Sequence, residues 1–278
     1  MSYLFFDIDG TLINSPYESD ISASTLEVLK EAKKNGHKLF LCSGRGYTGC
    51  QYLMKHGVFD GIIFSDGAGV FAQDKIVLTS PIDNVVLKKT METISNDLHG
   101  YVMLSGLYKT FIPKIELEKG SEWLEEKDGR FYMQDVPVYT LEEYDDSPIL
   151  EFDVMFPSDA YEKEFSKQLD SSLNYISTSA SYGRGEQTSG EVTNKGITKG
   201  SGVKVVLEVY QDLEGVTYGF GDSMNDAPLL EQCTYSIAMG NACEELKKIA
   251  GYITDDIDKS GLQKALEFYD LIGTKFQK

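Results

Sequence analysis

Two aspartates one residue apart follow the first apolar run of the sequence. The run Tyr3–Phe6 leads directly into Asp7-Ile8-Asp9-Gly10-Thr11. In an extended chain, residues i and i+2 point to the same side, so both carboxylates can face one site. A turn at Gly10 can instead bring a backbone carbonyl beside the first carboxylate. The same residues also fit an acidic turn, in which aspartate serves local hydrogen bonds.

A second acidic group, Gly221-Asp222-Ser223-Met224-Asn225-Asp226, follows another apolar run. Asp226, with Pro228 close behind it, also fits the start of an ordinary helix. If both apolar runs are strands of one parallel sheet, their carboxyl ends meet at the edge where such sheets bind ligands. Carboxylates with little histidine or usable cysteine suit a hard cation, so the sequence predicts a Mg²⁺ site.

Two further segments could bind an anion. Ser43-Gly44-Arg45 follows the apolar run Lys38–Cys42, and a hydroxyl with free backbone N–H groups at a helix start can hold a phosphate. Ser-Gly turns are common, so this signal is weak alone. Lys199 is predicted in the first turn of a helix, where a cation is unfavourable unless it has a partner. It is a phosphate ligand or a surface lysine; Lys195 competes for the role but is more readily explained as surface charge.

Alternating strands and helices are predicted to position these residues. A helix through Leu26, Leu29 and Ala32, capped by Ser22 or Ser24 and closed by Gly36, separates the first two strands. Gly61–Phe64 is a third strand candidate. The same rhythm returns after residue 192, with a helix from Lys199 to Tyr210 and a strand from Val216 to Phe220. This alternation is typical of a doubly wound α/β fold, a Rossmann-like parallel sheet with helices on both faces.

The middle of the chain has a different rhythm. Between about residues 83 and 191, one helical stretch, Val85 to Leu98, is mixed with β-like runs such as Ile149 to Phe156. We therefore predict a core made of residues 1–82 and 192–278, interrupted by an inserted α+β domain over residues 83–191. A chain of 278 residues is long enough for two such packed units.

The composition excludes several classes of protein. A net charge of −18 argues against nucleic acid or an anionic membrane as a partner. Of the four cysteines, Cys42, Cys50, Cys233 and Cys243, none forms a Cys-x-x-Cys pair, so they are interpreted as free thiols rather than as a zinc site. The amino terminus has no pattern of a signal peptide, and no apolar run is long enough to span a bilayer. We expect a cytoplasmic protein.

Taken together and in this order, the motifs resemble those of the haloacid dehalogenase superfamily of phosphohydrolases. The four segments are Asp7-Ile8-Asp9-Gly10-Thr11, Ser43, Lys199 and Gly221-Asp222-Ser223-Met224-Asn225-Asp226. The large insertion between the second and third motifs, with Gly196-Ile197-Thr198-Lys199-Gly200 and Ala238-Met239-Gly240-Asn241-Ala242, resembles the Cof-type branch, subfamily IIB. The resemblance covers the whole chain and implies a core with an inserted cap domain.

The resemblance also implies a role for each motif residue. Asp7 would be the nucleophile that becomes an aspartyl-phosphate, and Asp9 would be the general acid and base. Mg²⁺ would be held by the Asp7 carboxylate, the Asp9 backbone carbonyl and Asp222. Five further motif residues would bind the substrate or its phosphate: Ser43, Gly44, Arg45, Lys199 and Asn225. Asp226 would support the site. The implied substrate is a small phosphorylated metabolite, with sugar phosphates as the leading class.

Two positions leave the substrate open. Such proteins usually show Asn-Gly after the third strand, whereas this chain has Asp66-Gly67; a second carboxylate near the phosphate would repel it unless it points away or is protonated. In the cap, Arg184 is a candidate contact for the polar end of a substrate. Two alternatives to hydrolysis also remain at this stage: a phosphomutase, and a regulatory module that is phosphorylated on Asp7 without efficient turnover. An acid–base residue at position 9 has little use in such a module.

Overall fold

The computed structural model describes residues 1–15, 17–114, 137–179 and 186–273. Its strands, in chain order, are β1 (Tyr3–Phe6), β2 (Lys38–Cys42), β3 (Gly61–Phe64), β4 (Gly69–Ala72), β5 (Lys75–Thr79), β6 (Tyr101–Gly106), β7 (Thr110–Ile112), β8 (Val138–Thr140), β9 (Ile149–Phe156), β10 (Leu173–Ser177), β11 (Thr188–Asn194), β12 (Thr217–Gly221), β13 (Tyr235–Ala238) and β14 (Tyr252–Ile253). The helices are α1 (Ala23–Lys34), α2 (Tyr47–Gln51), α3 (Asn84–Asn96), α4 (Asp159–Gln168), α5 (Lys199–Val209), α6 (Ala227–Gln232), α7 (Glu244–Ile249) and α8 (Gly261–Phe268).

The core contains one sheet in the order β14-β13-β12-β1-β2-β3-β4-β5. The first six strands in this order are parallel, and β4 and β5 are added antiparallel at one edge. Every residue of β1 and β12 is buried, as expected for central strands that are covered by helices on both faces. The predicted doubly wound α/β fold is confirmed.

Local signals explain where the first helix begins. The hydroxyl of Ser22, rather than that of Ser24, accepts a hydrogen bond from the backbone N–H of Thr25 and caps α1. Val28, Leu29 and Ala32 are the buried residues of this helix, and the helix closes into Gly36, which has a φ of 88°. A positive φ suits glycine because it lacks a side chain. Helix α1 thus returns the chain to the sheet, so that β2 forms beside β1.

In the described residues, the inserted cap is a second sheet with helices α3 and α4 on one face. Its strand order is β10-β11-β9-β6-β7-β8. Phe152 and Val154 of β9 point into an apolar cluster that also contains Leu87 of α3 and Phe165 of α4. Because side chains alternate along a strand, Glu151 and Asp153 must point to the opposite face of this sheet. That face carries acidic residues.

The cap joins the core through two adjacent segments. The Asn194 side-chain amide donates to the backbone carbonyls of Ser80 and Pro81 at 3.2 and 2.9 Å, which ties the two crossing points together. The boundary predicted at residue 191 falls inside β11, which pairs in the cap sheet through Asn194. We therefore place the second boundary after residue 194, because pairing in the cap sheet continues to that point.

Two expectations about composition can be compared with the structure. All four cysteines are free, and three of them are buried, which confirms the interpretation that they are unpaired thiols. Among the described residues, no helix has both the length and the apolar character required to cross a lipid bilayer.

Candidate active site

Asp7 and Asp222 meet at the carboxyl ends of two neighbouring strands. Phe6 of β1 lies beside Phe220 of β12 in the parallel register, and the Asp7 backbone N–H donates to the Phe220 carbonyl at 2.9 Å. The residues that follow each strand therefore emerge side by side. Carboxylate oxygens of Asp7, Asp222 and Asp226 all lie within 4.8 Å of one another.

Gly10 allows the Asp222 carboxylate to approach the loop after β1. Gly10 has a φ of +80°, and a Cβ built on it would lie 2.3 Å from Oδ2 of Asp222. Both the backbone conformation and the lack of space for a side chain disfavour any residue other than glycine at position 10. The Thr11 hydroxyl, one residue later, donates to Asp222 Oδ1 at 3.3 Å. The loop thus holds Asp222 facing Asp7.

Lys199 is the cation of this site. Its side chain is 0% exposed, and its ammonium group donates to Asp7 Oδ1 at 2.8 Å and to Asp226 Oδ1 at 2.6 Å. These carboxylates stabilise a cation in the first turn of α5, where the helix dipole alone disfavours one. Lys195, in contrast, is exposed. The structure thus places Lys199, and not Lys195, beside the candidate nucleophile.

The charges of the site act strongly on one another. Burial and the charge of Asp226 raise the pKa of Asp7 to about 8, although Lys199 opposes this shift. Burial, Asp7 and Asp226 raise the pKa of Asp222 well above its usual value. Burial would lower the pKa of Lys199, but the charges of Asp226 and Asp7 outweigh it and keep the ammonium protonated. The negative charge of the three carboxylates, if all were ionised, would therefore exceed the positive charge that the described residues provide.

This excess of carboxylate oxygens fits a divalent cation. Asp226 is already used: Oδ1 accepts from Lys199, and Oδ2 accepts from the backbone N–H groups of Asp222 and Ser223 at 2.9 and 3.1 Å. Asp7 and Asp222 are therefore the carboxylates of this group that could hold such a cation. Hard oxygen donors of this kind suit Mg²⁺ better than softer metals.

The candidate phosphate-binding residues lie at the end of β2. Ser43 is buried, and its hydroxyl accepts from the backbone N–H of Arg45 at 3.2 Å. A Cβ on Gly44 would lie 3.0 Å from a Glu191 oxygen and 3.5 Å from the side-chain amide of Asn225. Gly44 and Asn225 therefore border the same space, next to the ends of β1 and β12.

Arg45 does not stand alone in this space, because it binds Asp9. Its Nε and Nη2 donate to the two carboxylate oxygens of Asp9 at 2.8 and 2.6 Å. Its Nη1 donates to the Gly49 carbonyl and to the Tyr52 hydroxyl, both at 3.3 Å. Ser15 also donates to Asp9, at 2.5 Å. Asp9 is thus held by a planar, bidentate cation from the second motif.

Asp66 lies at the mouth of the site and faces the cap. It has a φ of 48°, a left-handed conformation that Asp and Asn tolerate better than most residues, and its side chain is 2% exposed. The amide of Asn225 donates to Asp66 Oδ1 at 3.5 Å and to Glu191 Oε1 at 3.2 Å. The Asp66 carboxylate therefore points towards Glu191 of the cap and lies beside Asn225, a candidate phosphate-binding residue.

The sequence reasoning missed two cap residues near this mouth, Glu151 and Glu191. Their oxygens and one from Asp66 lie within 4.8 Å of one another. A signal was present, because Glu151 and Asp153 interrupt the otherwise apolar run Ile149–Phe156 at alternate positions. The candidate contact Arg184 lies outside the described residues.

A family model described as haloacid dehalogenase-like hydrolase matches residues 4–266. "Putative phosphatase YkrA" of Bacillus subtilis is 25% identical over 275 residues, which cover 97% of this chain and 98% of that protein.

Solved structures also resemble this chain over nearly its full length. One is described as the haloacid dehalogenase subclass IIB sugar phosphatase BT4131: it has a TM-score of 0.80 and 26% identity, covering 98% of this chain and all of that one. A haloacid dehalogenase-like hydrolase from B. subtilis superimposes with a TM-score of 0.81 at 19% identity, covering 96% and 99% of the two chains, and shows the shared fold.

Proposed function

The chain belongs to the haloacid dehalogenase-like hydrolase family and is a phosphatase, and we propose that it hydrolyses phosphate monoesters of small metabolites through a covalent intermediate on Asp7. The observation that carries this proposal is the contact of the buried Asp7 carboxylate with the Lys199 ammonium, beside Asp222. This arrangement provides a nucleophile and positive charge at one point.

In the first step, one carboxylate oxygen of Asp7 attacks phosphorus, and the bond from phosphorus to the leaving oxygen breaks. Lys199 binds Asp7 Oδ1, so Oδ2 is the oxygen free to attack. The ammonium group also offsets negative charge on the transferred phosphoryl oxygens. In the second step, water attacks the same phosphorus, inorganic phosphate leaves, and the Asp7 carboxylate is restored.

The Asp7 and Asp222 carboxylates, with the Asp9 backbone carbonyl, would hold Mg²⁺. When bound, the ion would supply positive charge that lets two anions, the carboxylate and the phosphate, approach each other. Asp226 supports the site indirectly, because it fixes Lys199 on one side and the Asp222 backbone on the other.

Asp9 would give a proton to the leaving oxygen and later take one from the attacking water. Its carboxylate is held by Arg45 through two hydrogen bonds. We infer that Arg45 orients Asp9, while a direct contact between Arg45 and substrate stays a prediction.

Ser43, the Gly44 backbone and Asn225 would bind the non-bridging phosphate oxygens, since all three border the end of β2 or the loop after β12. Sugar phosphates are supported as the substrate class by the subclass IIB sugar phosphatase to which this chain is 26% identical. A cytoplasmic location also remains a prediction.

A test of the proposal measures phosphate release from a panel of sugar phosphates and 4-nitrophenyl phosphate, with Mg²⁺ and with EDTA. Asp7→Asn keeps the shape of the side chain but removes the nucleophile, so turnover should fall by several orders of magnitude. Asp97→Asn, an exposed aspartate on the cap, is the matched control and should retain activity. Near-normal turnover of Asp7→Asn, or full activity in EDTA, would contradict the proposal.

A further inference from the structure

Three carboxylates meet where the cap covers the core: Asp66 from the core, Glu151 from β9 and Glu191 from β11. We call this group the carboxylate cluster. One oxygen from each lies within 4.8 Å of the others. Like charges at this separation repel one another strongly when they are buried. The arrangement therefore requires a proton, a cation or a ligand.

The cap sheet directs its acidic residues towards the core. Glu151 and Asp153 are alternate residues of β9, and Glu191 lies opposite Asp153 in the antiparallel register of β9 and β11. All three therefore project from the same face. The opposite face holds the apolar core of the cap, so the acidic face contributes nothing to that core.

The cluster has polar atoms without partners. Asp66 Oδ2, Glu151 Oε2 and Glu191 Oε2 are buried and lack a hydrogen-bond partner in the described part of the chain. Glu151 is only 1% exposed and faces directly into the cluster. A buried carboxylate without a donor is costly. Glu151 is thus the clearest sign that a donor is expected there.

Lys199 does not provide that donor. Its ammonium lies 4.0 Å from Asp66 Oδ1, beyond hydrogen-bond distance, and already donates to Asp7 and Asp226. Burial and the charges of Asp66 and Asp153 raise the pKa of Glu151 well above its usual range. Lys199 is thus a neighbour of Asp66, but it gives no hydrogen bond to the three unpartnered oxygens of the cluster.

The cluster is contiguous with the residues proposed to bind phosphate. The Asn225 amide donates to Glu191 Oε1 at 3.2 Å and approaches Asp66 Oδ1 at 3.5 Å. A Cβ on Gly44 would lie 3.0 Å from the same Glu191 oxygen. A group seated among the three carboxylates would therefore be close enough to the phosphate to be part of the same small molecule.

We propose that the carboxylate cluster binds an ammonium group on the leaving alcohol of the substrate, so that phosphate monoesters of amino sugars or amino alcohols are preferred. This proposal rests on the proposed phosphatase function. An ammonium group has three donors and no acceptor, which matches three carboxylates that each have one buried oxygen without a donor in the described part of the chain. Such charge-assisted hydrogen bonds are stronger than those of a hydroxyl, so the cluster distinguishes an amine from the corresponding alcohol.

The first experiment compares kcat/KM for glucosamine 6-phosphate, glucose 6-phosphate and N-acetylglucosamine 6-phosphate. A second pair, phosphoethanolamine and ethylene glycol phosphate, places the amine in a smaller leaving group. In at least one of the two pairs, we expect the wild-type kcat/KM for the amine substrate to be at least ~10-fold higher than that for its hydroxyl analogue. The neutral N-acetyl compound should lose this advantage.

Glu151→Gln assigns the preference to the cluster. The variant should lose most of the preference for the amine and leave kcat/KM for the hydroxyl analogue within about threefold, since Gln retains the size but not the charge. Glu92→Gln, an exposed residue of α3, is the control and should behave as wild type. Urea denaturation of both variants checks that they are folded.

Two results would overturn the proposal. One is equal kcat/KM for amine and hydroxyl substrates in both pairs. The other is a metal-binding result: the wild-type protein binds two Mn²⁺ ions per chain, Glu151→Gln binds one, and no preference for amines is found. That result would assign the cluster to a metal ion. If 4-nitrophenyl phosphate and all other esters are not hydrolysed, the phosphatase proposal itself fails. Calorimetric binding of the same pairs in EDTA then still tests the cluster, and equal affinities would reject it.

Discussion

The guanidinium group of Arg45 binds both carboxylate oxygens of Asp9, with Nε–Oδ2 and Nη2–Oδ1 distances of 2.8 and 2.6 Å. Both side chains are nearly inaccessible to solvent. A planar fork that meets a carboxylate in this way fixes the plane of the carboxyl group. The second motif thereby controls the orientation of the candidate acid–base of the first.

Arg45→Lys should weaken protonation of the leaving group. Lysine keeps the positive charge but cannot form the bidentate contact, so Asp9 would lose its fixed orientation. We expect kcat/KM for a sugar phosphate to fall by up to roughly 10²-fold, as small displacements of catalytic groups do, and that for 4-nitrophenyl phosphate to fall less. If Arg45 instead binds substrate phosphate directly, both esters should lose activity equally.

Asp9→Asn tests the role of Asp9 itself. An alkyl or sugar alkoxide needs a proton to leave, whereas 4-nitrophenolate leaves readily without one. We expect kcat/KM for the sugar phosphate to fall at least ~10-fold more than for 4-nitrophenyl phosphate, within the general-acid range of roughly 10²–10⁴. Because the backbone carbonyl of residue 9 survives, Mg²⁺ affinity measured by calorimetry should change little. Equal losses for both esters would exclude Asp9 as the leaving-group acid.

Gly10→Ala should weaken Mg²⁺ binding. The new Cβ would lie 2.3 Å from Asp222 Oδ2, so the carboxylate or the loop must move. We expect a loss in metal affinity of roughly 10–100-fold, the range found when groups that orient metal ligands are altered. Gly36→Ala is a matched control, because its φ of +88° imposes a similar backbone strain while nothing lies within 4 Å of the new Cβ. Equal Mg²⁺ affinity of Gly10→Ala and wild type would show that Asp222 is not a ligand.

The cap should lose stability as the pH rises. Burial and the charge of Asp66 raise the pKa of Asp153 from 3.8 to about 7, and Glu151 and Glu191 face the same region. Because its pKa is higher in the folded state, the folded protein binds more protons than the unfolded chain between these two pKa values. Stability therefore decreases as the pH rises through this window, and the contribution of Asp153 levels off above pH 7.

Asp153→Asn should flatten this dependence. Urea denaturation in EDTA, without substrate, would follow the free energy of unfolding of both proteins between pH 5 and 8. The difference between variant and wild type should grow in favour of the variant as the pH rises. Asp97→Asn, which is exposed, is the control. Parallel curves for wild type and Asp153→Asn would mean that Asp153 ionises normally in the folded protein.

Local patterns in the sequence were sufficient for the fold class and for much of the element order. The predicted bounds of β1, β2, β3 and β9 agree with those observed. Each of these strands is a short apolar run between polar turns, so its ends are visible in the local sequence. The acidic motifs could be placed together for a topological reason: the carboxyl ends of adjacent parallel strands must lie side by side. The contact of Asp7 with Lys199 does not follow from this rule, because Lys199 comes after β11 of the cap sheet and not after a strand of the core sheet.

Contacts between the cap and the core could not be predicted in this way. Nothing in the local sequence indicates that Glu151 and Glu191 reach Asp66. These contacts depend on which face of the cap sheet meets the core and on how the two crossing segments are tied by Asn194. Periodicity assigns a side chain to one face of a strand, but only the docked tertiary structure determines what lies opposite that face.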